Sequence, residues 1–264
     1  KYYNINILII FRRKVMRKRK QKQMSESLLL GAILATVGGF LDAHTYICRG
    51  KVFANAETGN IVLMGAKLAE GDFKDAFFYL IPITAFACGV FCAEGIKKLF
   101  KQNNYIHWRQ ITVAAEIIAL VFISFVEPTR MHNIFTNALV AFVCSLQVQS
   151  FRQISGVPLT TTMCTGNLRS GTEHLFNAVT TKNKTVLKTA FKYYSIIFFF
   201  VLGAAIGAVL SSAIGRYSTL IAAGGLLAAF LLMFVNKEAE KREEIFERAE
   251  EEREEAEIKA AEKL

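Results

Sequence analysis

Long runs of apolar residues, separated by short polar links, make up most of this chain. Soluble domains alternate apolar and polar residues more often, whereas each run here is about the length that crosses a ~30 Å hydrocarbon layer. The pattern predicts an all-α integral membrane protein. Six spans are predicted, over residues 27–48, 75–96, 111–126, 134–151, 191–214 and 218–235.

Lys and Arg residues cluster beside alternate ends of these spans. Basic residues 12–22 precede the first span, residues 97–109 hold four more, and five lie between the fourth and fifth spans. The link after the third span contains only Arg130. Because cytoplasmic links are enriched in Lys and Arg, the pattern predicts that both termini are cytoplasmic, and the alternation supports six spans.

The net charge of +10 is distributed unevenly. Residues 1–23 contain nine basic residues and no acidic ones, whereas residues 237–264 contain seven basic residues and twelve Glu. Pairs such as Glu238 and Arg242 predict an exposed charged helix in this tail. A basic balance also occurs in nucleic-acid-binding proteins. Here the basic residues flank apolar runs, which favours membrane lipids as partners and no nucleic acid.

The tripeptide Thr-Gly-Asn occurs twice, at Thr58-Gly59-Asn60 and at Thr165-Gly166-Asn167. Each copy follows a span and precedes a short segment, residues 61–69 or 168–179, and then further spans. Two consecutive units of three spans must lie with opposite orientation, which is the inverted-repeat plan of many secondary transporters. The predicted domains are a basic N-terminal arm (1–23), two membrane repeats (24–130 and 131–236) and a Glu-rich cytoplasmic helix (237–264).

The short segments resemble re-entrant half-helices, because nine residues of helix reach only about 14 Å. Thr58 or Asn60 is expected to cap the first of them, and Gly59 to permit a close backbone approach or a sharp turn. Entering from opposite faces, the two N-terminal ends would meet near the midplane, where free N–H groups favour an anion or a polar solute. The alternative is two re-entrant turns that pack and cap without a ligand.

Polar side chains inside the spans extend this candidate site. Asp42 is a candidate proton or cation site with His44 as a partner, or alternatively a carboxylate that caps the following loop. Glu116 is expected to pair with Arg109 or to face a cavity. Gln147 and Gln149 can bind a solute or a neighbouring helix. The predicted substrate-binding residues are Asp42, Thr58, Gly59, Asn60, Gln147, Gln149, Thr165, Gly166 and Asn167.

Other reactive residue types show no catalytic or metal-binding pattern. The five cysteines lie in or beside apolar runs without further ligands nearby, so neither a metal site nor a disulfide framework is predicted. The four histidines lack catalytic spacings, so no enzyme activity and no cofactor are expected. Gly203 and Gly207 have the four-residue spacing of closely packed membrane helices.

Several short sequence motifs of this chain resemble those of the YoaK family of bacterial membrane proteins, also called the domain-of-unknown-function 1275 family. The resemblance covers about residues 27–236, with Val148-Gln149 where the family pattern has Asn-Ala. It implies a bacterial inner-membrane protein with about six spans and no assigned activity. The motifs that carry it are Leu41-Asp42-Ala43, Val52-Phe53, Thr58-Gly59-Asn60, Leu146-Gln147 and Thr165-Gly166-Asn167.

These observations together predict a transporter or channel for a small polar or anionic solute across the bacterial inner membrane. The duplicated re-entrant segments favour this function. The alternative is a non-transporting scaffold or sensor that acts through the charged C-terminal helix. Association into a homo-oligomer is compatible with both.

Overall fold

The computed structural model describes residues 27–100 and 108–234, and most of them are helical. Those up to Phe230 form one compact unit, and residues 231–234 belong to a second. The predicted arm (1–23) and charged tail helix (237–264) lie outside the described residues. In chain order the elements are α1 (Leu28–Cys48), α2 (Glu57–Ala69), α3 (Phe73–Phe100), α4 (Trp108–Phe125), α5 (Arg130–Ser150), β1 (Gln153–Ile154), β2 (Val157–Pro158), α6 (Cys164–Thr181), α7 (Lys184–Ile214), a 3-10 turn (Gly215–Ser218) and α8 (residues 219–234).

Among the described residues, five helical stretches are long and apolar enough to cross a membrane. Four of them are α1, α3, α4 and α5, whose ends lie within a few residues of the predicted spans. The fifth, Lys184–Phe234, contains the last two predicted spans as α7 and α8. The 3-10 turn separates them, and Gly215 adopts a φ of 60° there, a conformation that favours glycine.

The helices α2 and α6 are not among these candidate spans. α2 has 13 residues and reaches about 20 Å, and α6 has 18 residues and reaches about 27 Å. Both begin several residues before the predicted segments, and α6 is longer than expected because it continues to Thr181. The structure is therefore all-α with several membrane helices and two additional helices between them.

Helices α1 and α7 pack in the same direction and in close contact. A Cβ atom on Gly203 would collide with the Thr36 carbonyl, and one on Gly207 would lie 2.7 Å from the Phe40 Cα. Because the contact advances by four residues on both helices, the two run parallel. The predicted packing role of Gly203 and Gly207 is confirmed.

Helices α3 and α5 form a second parallel pair. Arg130 Nη2 lies 2.6 Å from Asp75 Oδ1 near the beginning of both helices. Gln149 donates a hydrogen bond to Glu94 towards their ends. Between these contacts, a Cβ on Gly89 would collide with α5. The contacts are equally spaced along both helices, so α3 and α5 run parallel.

Contacts between links define two ends of this bundle. At one end, Arg49 follows α1, and its Nη2 donates to the Ile123 carbonyl near the end of α4, over 3.0 Å. At the other end, Arg109 near the start of α4 donates from Nε to the Ser150 carbonyl at the end of α5, over 2.9 Å. These are the Arg49 end and the Arg109 end of the bundle.

A short β-hairpin that the sequence pattern did not predict follows α5. Strands β1 and β2 pair antiparallel, and the turn residues Ser155 and Gly156 have φ values of 55° and 73°, which is typical of a type I′ turn. The hairpin holds the link after α5 against α1 and α7. Its apolar core consists of Ala35, Ile154, Val157, Leu159, Tyr193 and Ile196.

Candidate functional site

The link between α1 and α2 runs back along α1 towards its middle. Its Asn55 backbone N–H donates to Asp42 Oδ1 over 2.9 Å, and Asn55 Nδ2 donates to the Gly38 carbonyl over 3.1 Å. Gly38 lies ten residues before Cys48, where α1 ends, or about 15 Å along the helix axis. The first link therefore re-enters the bundle from the Arg49 end.

The link between α5 and α6 reaches the same place from the Arg109 end. Ile154 of the hairpin packs against Gly31, where an added Cβ would lie 2.7 Å from the Ile154 Cγ2. Seven residues further along α1, an added Cβ on Gly38 would lie 2.7 Å from the Thr162 Cγ2. Both links therefore meet at Gly38, in the middle of α1.

The two Thr-Gly-Asn sequences share one local structure at this meeting point. Asn60 Nδ2 donates to the Phe53 carbonyl over 3.2 Å, and Asn167 Nδ2 donates to the Thr160 carbonyl over 2.6 Å. Each asparagine is buried and ties the first turn of its helix to a carbonyl seven residues earlier. The asparagines therefore hold the re-entrant links in place.

Neither tripeptide caps its helix. α2 and α6 begin one residue before Thr58 and Thr165, and their N-cap residues, Ala56 and Met163, make no side-chain capping hydrogen bond. The prediction that Thr58 or Asn60 caps the first segment is wrong, because both lie inside the first turn and the Asn60 amide reaches back to the link. The helix N-terminal ends are left without side-chain caps.

The glycines of the tripeptides also differ from expectation. Among the described residues, a Cβ added to Gly59 would contact only the Phe53 Cδ2 atom, at 3.8 Å. A Cβ added to Gly166 would have no described atom within 4 Å. The expected close approach or sharp turn at Gly59 is wrong, because both glycines lie on an open side of regular helix. Thr58 and Thr165 are exposed on these first turns as well.

Buried polar side chains from several elements surround Cys144 on α5. Glu116 Oε1 lies 3.9 Å from the Cys144 Sγ, and the charges of Asp42 and Glu57 are close enough to act on the thiol. The charge of Asp42 also acts on Cys164, directly before the second tripeptide. The fold thus brings Asp42 and Glu116 together with both re-entrant links. Within the described ranges, no three His, Cys, Asp or Glu side chains form a metal-binding group.

Six polar side chains near this centre have a buried oxygen without a hydrogen-bond partner among residues 27–100 and 108–234. Leaving one such group unpaired costs about 1–3 kcal/mol, and a group of them in one place calls for an explanation. All of these oxygens can accept a hydrogen bond, so a solute with hydroxyl or amino groups would satisfy them. They are Asn55 Oδ1, Glu57 Oε1, Asn60 Oδ1, Glu116 Oε2, Gln147 Oε1 and Thr162 Oγ1.

Two titratable groups lie in the first turns of α2 and α6. Burial raises the pKa of Glu57 to about 7, against the opposing effect of the hydrogen bond from Asn60 Nδ2 to its Oε2. Burial raises the pKa of the Cys164 thiol to about 11, and the negative charge of Asp42 adds to the effect. Burial therefore favours the neutral form of both groups. Glu57 is not among the residues predicted from the sequence, although it directly precedes the first tripeptide.

The structure places Asp42 and His44 in different surroundings. Asp42 Oδ1 accepts the Asn55 backbone hydrogen bond, as the loop-capping alternative predicted. His44 Nδ1 instead lies 3.2 Å from Ser211 Oγ and 2.8 Å from Ser218 Oγ. His44 therefore joins α1 to the turn after α7 and does not partner Asp42.

Glu116, Gln147 and Gln149 also have different partners from one another. The expected Glu116 pairing with Arg109 is wrong, since Glu116 contacts Cys144. Gln147 Nε2 donates to Thr161 Oγ1 over 2.9 Å and belongs to the centre. Gln149 points away to α3, where it bonds Glu94, so it joins helices and does not line the meeting point.

Comparison with known proteins adds a family and no activity. Residues 30–233 match a family described as a protein of unknown function, DUF1275. No curated protein and no solved structure matches the chain.

Proposed function

This chain belongs to the DUF1275 family, and we propose that it moves a small polar solute across the bacterial inner membrane, as a transporter or channel. The observation that carries the proposal is the meeting of two re-entrant links at Gly38, with unpaired oxygens contributed by both. Irregular backbone at membrane depth persists where it is buried in protein or lines a polar cavity. A solute path between the links accounts for both features.

The proposed architecture is two inverted repeats, residues 24–130 and 131–236. Exchanging the repeats would place α1 on α5 and α3 on α7, so the parallel pair α1–α7 would fall on the parallel pair α5–α3. The equivalent hydrogen bonds of Asn60 and Asn167 support the exchange. So does the entry of the two links from opposite ends, which is the arrangement of half-helices in many secondary transporters.

The groups at the meeting point favour a solute that both donates and accepts hydrogen bonds. The uncapped N-terminal ends of α2 and α6 offer backbone donors with partial positive charge. The unpaired amide and carboxyl oxygens offer acceptors. Glu57, in the first turn of α2, offsets part of the attraction for an anion. We therefore favour a neutral or zwitterionic polar solute over a simple anion at this site.

The proposed orientation places the Arg109 end in the cytoplasm. That end includes basic residues close to the end of α3, the end of α5 and the start of α7, as the enrichment of Lys and Arg in cytoplasmic links would require. Both termini are then cytoplasmic. The residues concerned are Lys97, Lys98, Arg109, Arg152, Lys182, Lys184 and Lys188.

Flux into liposomes containing the purified protein tests the proposal. A panel of radiolabelled amino acids, polyols and small carboxylates would be offered to wild type and to Thr58→Val and Thr165→Val. These exposed hydroxyls lie on the first turns of α2 and α6. We expect uptake of at least one solute by wild type, and a loss of about tenfold or more in each variant.

Thr180→Val is the matched control, because Thr180 is also exposed on α6 but lies near its far end. Uptake should be unchanged in this variant. Wild-type liposomes that take up none of the panel would contradict transport and favour the scaffold or sensor alternative. Equal losses in the control and test variants would contradict the placement of the path.

A further inference from the structure

A cavity of about 220 Å³ opens at the Arg49 end, between the beginnings of α3 and α5 and the link after α1. Its position is separate from the meeting point at Gly38, since Arg49 lies seven residues, or about 10 Å of helix, beyond Asp42. Its wall combines apolar and aromatic side chains with charged and amide side chains. The wall includes Arg49, Phe78, Tyr79, Pro82, Asn133 and Ile134.

Arg49 is the unusual member of this wall. Its side chain is fully buried, and its Nη2 donates to the Ile123 carbonyl. Its Nε and Nη1 atoms are buried without a hydrogen-bond partner in the described part of the molecule. A buried guanidinium normally has a carboxylate or several acceptors around it, because an unpaired buried charge is costly.

The surrounding charges do not compensate Arg49. The other cation of the cavity, Arg130, is already paired with Asp75 over 2.6 Å, and both line the same wall. Burial lowers the pKa of Arg49, and the positive charge of Arg216 acts in the same direction. Among the described residues, Arg49 is therefore the one cation of the cavity wall that has no paired carboxylate.

We propose that this cavity binds a small organic carboxylate, with the carboxylate at Arg49 and the apolar body against Phe78, Tyr79 and Pro82. Charge-assisted bonds from Nε or Nη1 would supply the missing partners. The unpaired Oδ1 atoms of Asn133 and Asn137, which also line the cavity, accept and do not donate. Such acceptors oppose any anion, and they oppose a compact multivalent one such as phosphate or sulfate more strongly than a singly charged carboxylate.

The cavity size is consistent with this class of ligand. A cavity of about 150 Å³ already holds a benzene ring in another protein, so the larger volume here accommodates a ring with a carboxylate. Benzoate is therefore a suitable probe. This site goes beyond the proposed transport function, because binding to it is measured in detergent without any flux.

Fluorine NMR of the purified full-length protein with 4-fluorobenzoate tests the inference. We expect saturable binding that excess unlabelled benzoate displaces, and binding of the neutral 4-fluorobenzamide that is about tenfold or more weaker. Arg49→Gln should weaken 4-fluorobenzoate binding by about tenfold or more. Arg49→Lys, which keeps the charge, should retain more of the affinity than Arg49→Gln.

Two further variants keep the test informative if Arg49→Gln does not fold. Ile134→Phe narrows the cavity without changing charge, and it should weaken binding of the probe. Arg152→Gln makes the same charge change as Arg49→Gln on an exposed residue at the Arg109 end, and it should leave binding unchanged.

Several outcomes would overturn the carboxylate site. They are equal binding of benzamide and benzoate, no effect of both Arg49→Gln and Ile134→Phe, and displacement of the probe by phosphate at lower concentration than by benzoate. Carboxylate binding without any solute flux would support this site and contradict only the transport proposal. Solute flux without carboxylate binding would support the transport proposal and contradict only this site.

Discussion

The asparagines of the two tripeptides have a different role from the threonines that precede them. Asn60 and Asn167 are buried and bond to link carbonyls, whereas Thr58 and Thr165 are exposed on the same turns. A short sequence motif therefore combines one residue that holds the link with another whose hydroxyl is exposed on the same turn. Variants of the two asparagines test the anchoring of the links, and variants of the two threonines test the proposed solute path.

Asn167→Ala should lower stability, because it leaves the Thr160 carbonyl without its 2.6 Å donor. Losing such a buried partner costs about 1–3 kcal/mol. Thermal unfolding in detergent would measure the loss, and Asn60→Ala should show an effect of the same sign. Thr165→Val and Asn177→Ala, both on exposed positions of α6, serve as controls and should unfold near the wild-type temperature. An unchanged melting temperature in both Asn60→Ala and Asn167→Ala would contradict the anchoring role.

Glycines decide how closely the elements approach in this bundle. Helices α1 and α7 contact each other through backbone at Gly203 and Gly207, and Gly39 lies against the Phe200 carbonyl in the same interface. Without a hydrophobic driving force between helices in lipid, such close packing is a main source of association. The point where the two links meet lies beside this interface, since Gly38 is the neighbour of Gly39 on α1.

Gly203→Ala should destabilise the protein, because the added methyl group would collide with the Thr36 carbonyl. Overpacking of this kind typically costs about 1–3 kcal/mol. The fraction of protein that remains monodisperse after heating, read by size-exclusion chromatography, would report the loss. Gly95→Ala makes the same chemical change in α3, where nothing described lies within 4 Å. A Gly203→Ala protein as heat-resistant as Gly95→Ala would show that α1 and α7 do not pack in this way.

At the scale of the whole molecule, the links sort into two ends. Ile123 and Arg49 meet at one end, and Arg109 and Ser150 meet at the other. The proposed inverted repeat and the proposed orientation both depend on these ends facing opposite sides of a membrane. A membrane-impermeant thiol reagent can test this directly.

Single cysteines at Glu127 and at Asn183 should label from opposite sides. Glu127 follows α4 at the Arg49 end, and Asn183 precedes α7 at the Arg109 end. In a background without the five native cysteines, we expect intact bacterial cells to label Glu127→Cys, and Asn183→Cys to label only after the cells are opened. Labelling of both from the same side would contradict the alternating topology. Reversed labelling would keep the topology and overturn the orientation.

The sequence by itself determined the helices that lie in the membrane, because segment length and apolar content are local properties set by the bilayer thickness. It also located the duplicated tripeptide and the glycine spacing of α7. Only the tertiary structure showed that the two links meet at Gly38, that Asn60 and Asn167 anchor them, and that His44 and Gln149 lie elsewhere. Only the structure showed that Arg49 is buried without a full set of partners. Its guanidinium contacts α4, and it lines a cavity that α3 and α5 help to form. Such contacts join residues far apart in the chain, and no local pattern encodes which buried groups remain without a partner.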